Sequence, residues 1–311
     1  EPLAYDDLSP ETLDTLWTLS SGTTALEENS GRYIAWVPIN GRIRITCIDP
    51  AQAIGEIIGQ FKECLMLSAT FPPFDAFLEQ CGLADRRSLP QRITPPAPWL
   101  KGAYDIAIDT RADTRMRSRE KSSSVTAATI AKLAEQFAPI VVFFPSFAYA
   151  QSLREIVERD FPFYRIAMQQ RRGVDSLADR ADFIDNAIRF HDIVFLILGS
   201  SYAEGIDLIG GKIQAAMVVG PALPEVNPIQ NAKRDNYNAQ RLNGFERAYL
   251  QPGIQKVNQA LGRLVRAPGQ KVKVLLHCQR YADKQTNNLL SPQYRNFTYL
   301  FEDHDLDTWT Q

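Results

Sequence analysis

The feature that most constrains the fold is an alternation of short apolar runs with helical patterns, which begins near residue 105. These apolar runs lack the polar alternation of half-exposed strands, and such runs are typical of a parallel sheet covered on both faces. We therefore predict strands at 105–108, 140–144, 164–168, 193–198, 215–219 and 272–277. Helical periodicity predicts helices at 124–137, 149–159, 177–190, 230–249 and 253–266. Together they predict an α/β domain, a parallel sheet flanked by helices.

The first part of the chain follows another pattern. A helix is predicted at 8–26, capped by Ser9 with Pro10 at its first position. The dipeptide Asn40-Gly41 between two alternating runs predicts a hairpin of strands at 33–38 and 42–48. A helix at 51–60 and a buried strand at 64–67 follow.

A proline-rich stretch at 82–104 reads as a linker between two lobes. We place the boundary near Gly82, which gives domains 1–82 and 83–311. The chain begins with Glu1-Pro2 and no initiator Met, so we expect a piece of a longer protein.

Composition excludes two classes of protein. A net charge of −2 argues against a polybasic nucleic-acid binder, although a local groove needs no global charge. No apolar run approaches the roughly 20 residues that span a bilayer, so we expect no membrane and a cytoplasmic location. The four cysteines are far apart without a CxxC pair, which indicates reduced structural thiols.

The segment QALGRLVR at 259–266 combines a core face with a cationic face. On a helix, Gln259, Arg263 and Arg266 align because residues three, four and seven apart share a side. Two guanidiniums on a rigid helix suit a phosphate, since each can donate two parallel hydrogen bonds. The alternative is a solvated basic face, with Arg266 as a cation at the helix end.

Three polar motifs precede this segment, and each follows a predicted strand: SAT at 68–70, FFPS at 143–146 and EGID at 204–207. Hydroxyls at the carboxyl ends of strands occupy the edge where open α/β sheets bind ligands. Turn capping is the alternative for Ser68, Thr70 and Asp207. Phe143 and Phe144 are predicted to lie in the core.

SAT, FFPS, EGID and QxxGRxxR, in this order, resemble motifs of the XPD/DinG branch of superfamily 2 helicases, over residues 45–281. The resemblance implies a RecA-like second motor domain, preceded by the end of the first. It also implies an ATP-dependent helicase that translocates on single-stranded DNA, 5′ to 3′. Some DinG-like relatives work beside CRISPR complexes, so a CRISPR or repair complex is a further expected partner.

The resemblance assigns roles to individual positions. Arg263 and Arg266 would contact the γ-phosphate, and Gln259 would orient water or a phosphate oxygen. Glu204, Gly205 and Asp207 would complete the nucleotide side. The positions implied for nucleic acid are Ser68, Thr70, Ser146, Phe147, Tyr149, Ser200, Ser201, Arg115 and Arg117. Arg115 and Arg117 belong to a basic run at 111–121 that fits a strand groove or a solvated loop equally well.

Two apparent motifs fail. GIDLIGGK at 205–212 imitates a phosphate loop but has Ile206 and Ile213 at positions that require glycine and a hydroxyl residue. FEDHD at 301–305 imitates an acidic metal box but follows the arginine segment, so we predict a solvated tail. ATP and Mg²⁺ would therefore be bound mainly by the missing first motor domain, and the chain alone is expected to be inactive. We also expect no metal site and no iron–sulfur cluster here.

The family usually continues with Asp-x-Arg-Tyr, whereas this chain has Cys278, followed by Arg280 and Tyr281. The role of that acid is thus in doubt here. His277 is predicted to be a hydrogen-bonded core histidine. The alternative function for the chain is a non-catalytic platform that binds nucleic acid or another protein.

Overall fold

The computed structural model describes residues 8–28, 31–38, 41–68, 73–84, 90–95, 97–171, 176–204 and 209–311, without the side chains of residues 203 and 204. The chain forms two compact units. The first comprises Glu1–Leu67, Pro73–Gln91 and Glu225–Tyr249, and the second comprises Ser68–Pro72, Arg92–Pro224 and Leu250–Gln311. The boundary near Gly82 stays a prediction, with the end of a first motor domain and the return from an inserted domain at 1–82 and a second RecA-like domain at 83–311.

Helices and strands alternate along much of the described chain. In order they are α1 (Pro10–Glu28), β1 (Tyr33–Trp36), β2 (Arg44–Cys47), α2 (Ala51–Gly59), α3 (Phe74–Gln80), β3 (Tyr104–Asp109), α4 (Arg119–Phe137), β4 (Ile140–Phe144), α5 (Phe147–Asp160), β5 (Ile166–Met168), α6 (Leu177–Phe190), β6 (Ile193–Ile197), α7 (Ser201–Glu204), β7 (Ala215–Val218), α8 (Pro228–Ala239), α9 (Gln251–Leu261), β8 (Val272–His277), α10 (Lys284–Leu289), β9 (Phe297–Leu300) and α11 (Asp303–Thr310). A short 3₁₀ helix, Pro98–Leu100, precedes β3.

The second unit is built on a seven-stranded sheet in the order β5-β6-β4-β7-β8-β3-β9. All of its strand pairs are parallel. The predicted α/β fold with a parallel sheet flanked by helices is confirmed, and β4 and β8 have the predicted bounds. The edge strand β9 was not predicted among the strands of this sheet.

Alternate residues of the strands pack into two cores on opposite faces of the sheet. Phe143 belongs to the core that contains α9, and its neighbour Phe144 belongs to the core that contains α4 and α5. This alternation follows from strand geometry, in which successive side chains point to opposite faces. Both phenylalanines are fully buried, as predicted.

The first unit contains the predicted hairpin. Strands β1 and β2 are antiparallel, with Tyr33 opposite Cys47. The hydroxyl of Ser9 accepts a hydrogen bond from the Thr12 amide at 3.2 Å, which satisfies one of the open donors at the start of α1. The Ser9 cap with Pro10 at the first helical position is therefore confirmed.

The buried strand predicted at 64–67 is wrong. These residues form no strand, and the side chains of Leu65 and Leu67 are 79% and 84% exposed. An apolar run becomes a buried strand where neighbouring strands pair with it, and none does so within the described residues. An apolar run alone therefore does not make a strand, because strand formation depends on packing against neighbouring strands.

The single helix predicted at 230–249 is also wrong. Helix α8 ends at Ala239, because Arg241 adopts a positive φ of 61° that reverses the chain. The side-chain oxygen of Asn238 then accepts a hydrogen bond from the Gly244 amide at 3.0 Å, which closes the turn.

In the part of the chain that the structure describes, no helix is long and apolar enough to cross a membrane.

Candidate functional site

The arginine segment lies at the end of α9 and beyond it. The apolar residues of α9, among them Ile254, Val257 and Leu261, are fully buried. The helix predicted at 253–266 nevertheless ends at Leu261, so Arg263 and Arg266 follow α9 and do not share its face with Gln259. Gly262 has a poor helix propensity, and this explains the early end.

The backbone after α9 continues as a tighter turn, with hydrogen bonds between residues three apart. The amide of Arg263 donates to the Ala260 carbonyl at 3.1 Å, and the amide of Leu264 donates to the Leu261 carbonyl at 3.0 Å. These are i→i+3 bonds, typical of a helix end. Further on, the side-chain oxygen of Gln270 accepts the amides of Arg266 at 2.6 Å and Ala267 at 3.1 Å. The backbone that carries both arginines is thus fixed by hydrogen bonds.

Tyr104, the first residue of β3, anchors the end of α9. Its hydroxyl donates to the Leu261 carbonyl at 3.0 Å, and its ring meets Tyr294 edge-on with centroids 4.8 Å apart. Burial, with a smaller contribution from Tyr294, raises the pKa of Tyr104, whereas the positive charge of Arg266 acts in the opposite direction. Arg266 therefore lies within electrostatic reach of this phenol.

A cavity of about 500 Å³ brings the predicted residues together. Gln259, Arg263, Arg266 and Ser68 all line it, although Ser68 is remote from the other three in sequence. Arg263 is half-buried, whereas Arg266 and Ser68 are exposed. This volume lies within the usual range of small-molecule sites, roughly 300–1,000 Å³. The loss of a continuous helix therefore does not separate the glutamine from the arginines.

Sequence reasoning missed the aromatic part of this cavity. Trp99, which is 43% exposed, and Tyr104 also line it. The only sequence signal for Trp99 was its position in the proline-rich stretch, where an isolated tryptophan carries no information about its neighbours. The cavity thus combines the two guanidiniums with amide, hydroxyl and aromatic side chains.

Gly210 and Gly211, which follow the EGID motif in sequence, pack on the arginine segment. A Cβ atom placed on Gly210 would lie 3.0 Å from the Arg266 Cγ and 3.2 Å from the Arg263 carbonyl oxygen. Gly211, with a φ of +74°, lies against Gln270 in the same way. Glycines are therefore required here by close approach. The predicted sites Thr70, Gly205 and Asp207 and the Glu204 side chain lie outside the described residues.

Other predicted positions follow β4 at the carboxyl edge of the sheet. The Ser146 hydroxyl accepts the Tyr149 amide at 3.4 Å and so caps α5. Phe147 is half-buried, and the guanidinium carbon of Arg171 lies 6.0 Å from its ring centre. The predicted contact of Ser146 and Phe147 with nucleic acid stays a prediction, and Arg171 adds an exposed cation beside it.

The prediction that Tyr149 stacks on a base needs correction. Its side chain is only 4% exposed and packs edge-on against Phe144, with centroids 5.9 Å apart. The guanidinium carbon of Arg119 lies 4.4 Å from the ring centre. The ring of Tyr149 therefore lies in the core, and the Arg119 guanidinium covers it.

Ser200 and Ser201 follow β6 at the same edge. Ser200 donates to the Gln169 side-chain oxygen at 3.0 Å, and that oxygen also accepts the Ile197 amide at 2.8 Å. Ser201 is exposed at the start of α7. Gly199, with a φ of +76°, lies against the aliphatic part of Lys256. The predicted serines are thus held beside a lysine that sequence reasoning did not select.

The basic run at 111–121 divides into structural and surface residues. Arg111 binds the buried carboxylate of Asp109 through two hydrogen bonds, of 2.9 and 2.7 Å, and it also pairs with Asp303. Arg115 lies 3.6 Å from a carboxylate oxygen of Asp113. Arg117 is exposed. Arg117 therefore retains the surface position that a strand groove requires.

His277 is a hydrogen-bonded core residue, as predicted. Its Nδ1 lies 2.7 Å from Asp109 Oδ2 and its Nε2 lies 2.9 Å from Thr126 Oγ1, with all three residues fully buried. Burial opposes ionisation of Asp109, but the hydrogen bonds and charges of His277 and Arg111 outweigh it and hold the pKa of Asp109 well below its usual value. This network joins β3, α4 and β8.

The FEDHD segment forms a helix start. Glu302 and Asp305 make a capping box at the beginning of α11, and Asp305 accepts the amides of Phe301 at 2.8 Å and Glu302 at 3.0 Å. These bonds lower the pKa of Asp305.

Across the described ranges, no group of three or more His, Cys, Asp or Glu side chains is arranged to hold a metal ion.

The family described as helicase C-terminal domain matches residues 130–297. The ATP-dependent DNA helicase chl-1 of Caenorhabditis elegans is 20% identical over 267 residues, which are 80% of this chain and 32% of that protein. The ATP-dependent DNA helicase chl1 of Schizosaccharomyces pombe is 25% identical over 164 residues, which are 46% of this chain and 19% of that protein. The chain thus spans about a third or less of these relatives.

Two solved structures of XPD share the fold. A structure of the XPD helicase superimposes with a TM-score of 0.65 at 17% identity, covering 94% of this chain and 56% of that one. A structure of apo XPD gives a TM-score of 0.65 at 18% identity, covering 95% and 60%. At these identities the likeness concerns the fold.

Proposed function

Since the chain belongs to the helicase C-terminal domain family, we propose that it is the C-terminal motor region of an ATP-dependent, XPD/DinG-like DNA helicase. The observation that carries this proposal is the cavity shared by Gln259, Arg263, Arg266 and Ser68. Phosphoryl transfer requires cations where charge develops on the transferred group. The two guanidiniums that line this cavity can provide those cations, and the Gln259 amide lies beside the same cavity.

Arg263 and Arg266 act as arginine fingers in this proposal. Each would donate hydrogen bonds to oxygens of the γ-phosphate, and Gln259 would orient the attacking water or a phosphate oxygen. Arginine fingers contribute about 10³–10⁵ in turnover in well-studied phosphoryl-transfer enzymes. The hydrogen bonds of Gln270 and Tyr104 fix the backbone around the two arginines, which would keep both guanidiniums close to the phosphate.

The donors of this cavity suit phosphate oxygens and not Mg²⁺. Magnesium prefers carboxylate and water oxygens in octahedral geometry, whereas the cavity presents two permanently charged guanidiniums. We therefore assign magnesium, and the loop that holds the β-phosphate, to a first motor domain. This chain together with that domain is called the complete motor below.

Exposed leucines in the first unit support the existence of a first motor domain that packs against this chain. Leu65 and Leu67 are exposed in the run that leads to Ser68. We propose that the first motor domain covers both leucines and so lies beside the run that leads to Ser68. In this proposal the nucleotide is also bound by Glu204, Gly205 and Asp207.

Single-stranded DNA is the proposed substrate, with movement in the 5′ to 3′ direction taken from the family resemblance. The carboxyl edge of the sheet would hold the strand through Ser146, Phe147, Ser200, Ser201 and the exposed Arg117. Hydroxyls and cations at such an edge bind backbone phosphates without regard to sequence. Arg115 and Thr70 complete the proposed strand contacts. Association with a CRISPR or repair complex stays a prediction without support from the described residues.

Strand-stimulated ATP hydrolysis tests the proposal. We expect turnover by the complete motor and none by the 311-residue chain alone. A complete motor that binds single strands without hydrolysing ATP would favour the alternative, a non-catalytic binding platform. Hydrolysis by the chain alone would contradict the assignment of the phosphate loop to another domain.

A further inference from the structure

A second cationic cluster lies at the carboxyl edge of the sheet, apart from the nucleotide cavity residues. It is formed by residues that follow three different strands: β3, β7 and β8. The members are Thr114, Arg119, Gly220, Cys278 and Arg280. None of them is among the site residues predicted from the motifs.

Arg119 is oriented by two contacts. Its Nε donates to the Thr114 carbonyl at 2.9 Å, and its guanidinium carbon lies 4.4 Å from the centre of the buried Tyr149 ring. One face of the guanidinium is thus covered by an aromatic ring, which leaves the Nη groups to bind something else. Burial lowers the pKa of Arg119, and the positive charge of Arg280 acts in the same direction.

Arg280 and Thr114 carry polar atoms without partners. Arg280 Nε and Thr114 Oγ1 are both buried, and neither has a hydrogen bond within the described part of the chain. Gly220, with a φ of +77°, lies between them: a Cβ atom there would clash with Thr114 Oγ1 and lie 3.6 Å from Arg280 Nη2. Unpaired buried donors are costly, so their persistence indicates a ligand.

The cluster has no carboxylate of its own. Neither Arg119 nor Arg280 forms an ion pair with a described residue. The carboxylate of Asp113 pairs with Arg115 at 3.6 Å, and the charge of Arg280 helps to lower the pKa of Asp113. The buried Cys278 lies within electrostatic reach of Arg119, at the position where an acid would complete an internal ion pair. Arg119 and Arg280 therefore lie within electrostatic reach of each other, and neither forms an ion pair with a described residue.

We propose that Arg119, Arg280 and the Thr114 hydroxyl form an oxyanion site for one backbone phosphate of a nucleic-acid strand. This inference rests on the proposed function, since the ligand belongs to the strand of the motor. A guanidinium pair can offer parallel donors to two phosphate oxygens, and the hydroxyl can donate to a third. The site lies at the same sheet edge as Ser146 and Ser200, where the strand is proposed to run.

Replacing Cys278 tests this site directly. Cys278→Asp places a carboxylate beside the two arginines, which would pair with them and displace a phosphate. Cys278→Ser is the matched control, since it keeps a small neutral side chain at the same buried position. Arg280→Gln provides an independent variant that removes one cation without adding an acid.

The measurement is fluorescence anisotropy of a labelled single-stranded oligonucleotide bound to the complete motor across a range of salt concentrations. We expect Cys278→Asp and Arg280→Gln to weaken strand binding about tenfold and to reduce the salt slope by about one. Cys278→Ser should bind like the parent. Thermal unfolding of each variant separates loss of binding from loss of the fold.

Three results would overturn the inference. Unchanged affinity and salt slope in both Cys278→Asp and Arg280→Gln, beside a parent that binds strands, would remove this site and leave the proposed function intact. Inorganic phosphate that stabilises the parent but not Arg280→Gln, with strand affinity unaffected, would show that the site takes free phosphate. A parent that binds no strand would overturn both the site and the proposed function.

Discussion

The hydroxyl of Tyr104 donates a 3.0 Å hydrogen bond to the carbonyl oxygen of Leu261, the last residue of α9. The end of a helix has carbonyls without intrahelical partners, and this bond satisfies one of them. It also links the first residue of β3 to the segment that carries Arg263 and Arg266. The geometry of the proposed nucleotide site thus depends on a tyrosine outside the recognised motifs.

Tyr104→Phe removes this bond while it keeps the ring that packs on Tyr294. We expect the free energy of unfolding to fall by about 1 kcal/mol, since the Leu261 carbonyl loses its partner. Urea unfolding measures the change. Tyr299→Phe is the matched control, because Tyr299 is 39% exposed and should lose little. Equal stability of Tyr104→Phe and the parent would show that water replaces the bond.

Gly210→Ala tests the close approach of Gly210 to the two arginines. The new Cβ would lie 3.0 Å from the Arg266 Cγ and 3.2 Å from the Arg263 carbonyl oxygen, so one side must move by a few tenths of an ångström. Because small misplacements of catalytic groups are costly, we expect ATP turnover of the complete motor to fall about tenfold. Affinity for single strands should stay at the parent value, and normal turnover would contradict the prediction.

Asp109 predicts an acid dependence of stability. Its folded-state pKa lies below its unfolded value, because His277 and Arg111 outweigh the effect of burial. The stabilisation is therefore complete above the unfolded pKa, about 4, and is lost as the pH falls toward the lower folded pKa. The unfolding free energy of the parent should decline across that acidic range.

Asp109→Asn removes this charge, so the unfolding free energy of the variant should fall less than that of the parent as the pH decreases. At neutral pH we expect a loss of about 3–5 kcal/mol, because Arg111 then loses its buried partner. Asp160→Asn, which breaks an exposed pair with Arg159, is the control and should change stability little. A pH profile of Asp109→Asn parallel to that of the parent would show that Asp109 does not carry the acid dependence.

The sheet of the second unit was predictable because its strands carry their own signal. Every residue of β4, from Ile140 to Phe144, is buried, so an uninterrupted apolar run identified it at the correct bounds. The run at 64–67 has a similar composition and forms no strand. The difference lies in the neighbouring strands, which a local pattern does not contain.

The candidate site was predictable in its residues but not in its construction. The spacing of Gln259, Arg263 and Arg266 indicated one helical face, whereas the three share a cavity although α9 ends at Leu261. Trp99 gave no sequence signal. Tyr149 followed a motif but packs in the core, because helix geometry turned its ring inward.

The basic run shows a further limit. Five cations between residues 111 and 121 suggested one shared role. Arg111 instead neutralises the buried Asp109, and Arg119 covers Tyr149. Charge in sequence therefore identifies a basic region, while burial and partners decide which cations are available to a ligand.

The central claim is that Arg263 and Arg266 stabilise the charge that develops on the γ-phosphate. ATP turnover of the complete motor at saturating single-stranded DNA, measured for Arg263→Ala and Arg266→Ala beside the surface control Arg189→Ala, tests it most directly. We predict that turnover falls by about 10³ or more in the first two variants and stays at the parent rate in the third, with strand affinity nearly unchanged in all. Parent-like turnover in both arginine variants would contradict the account.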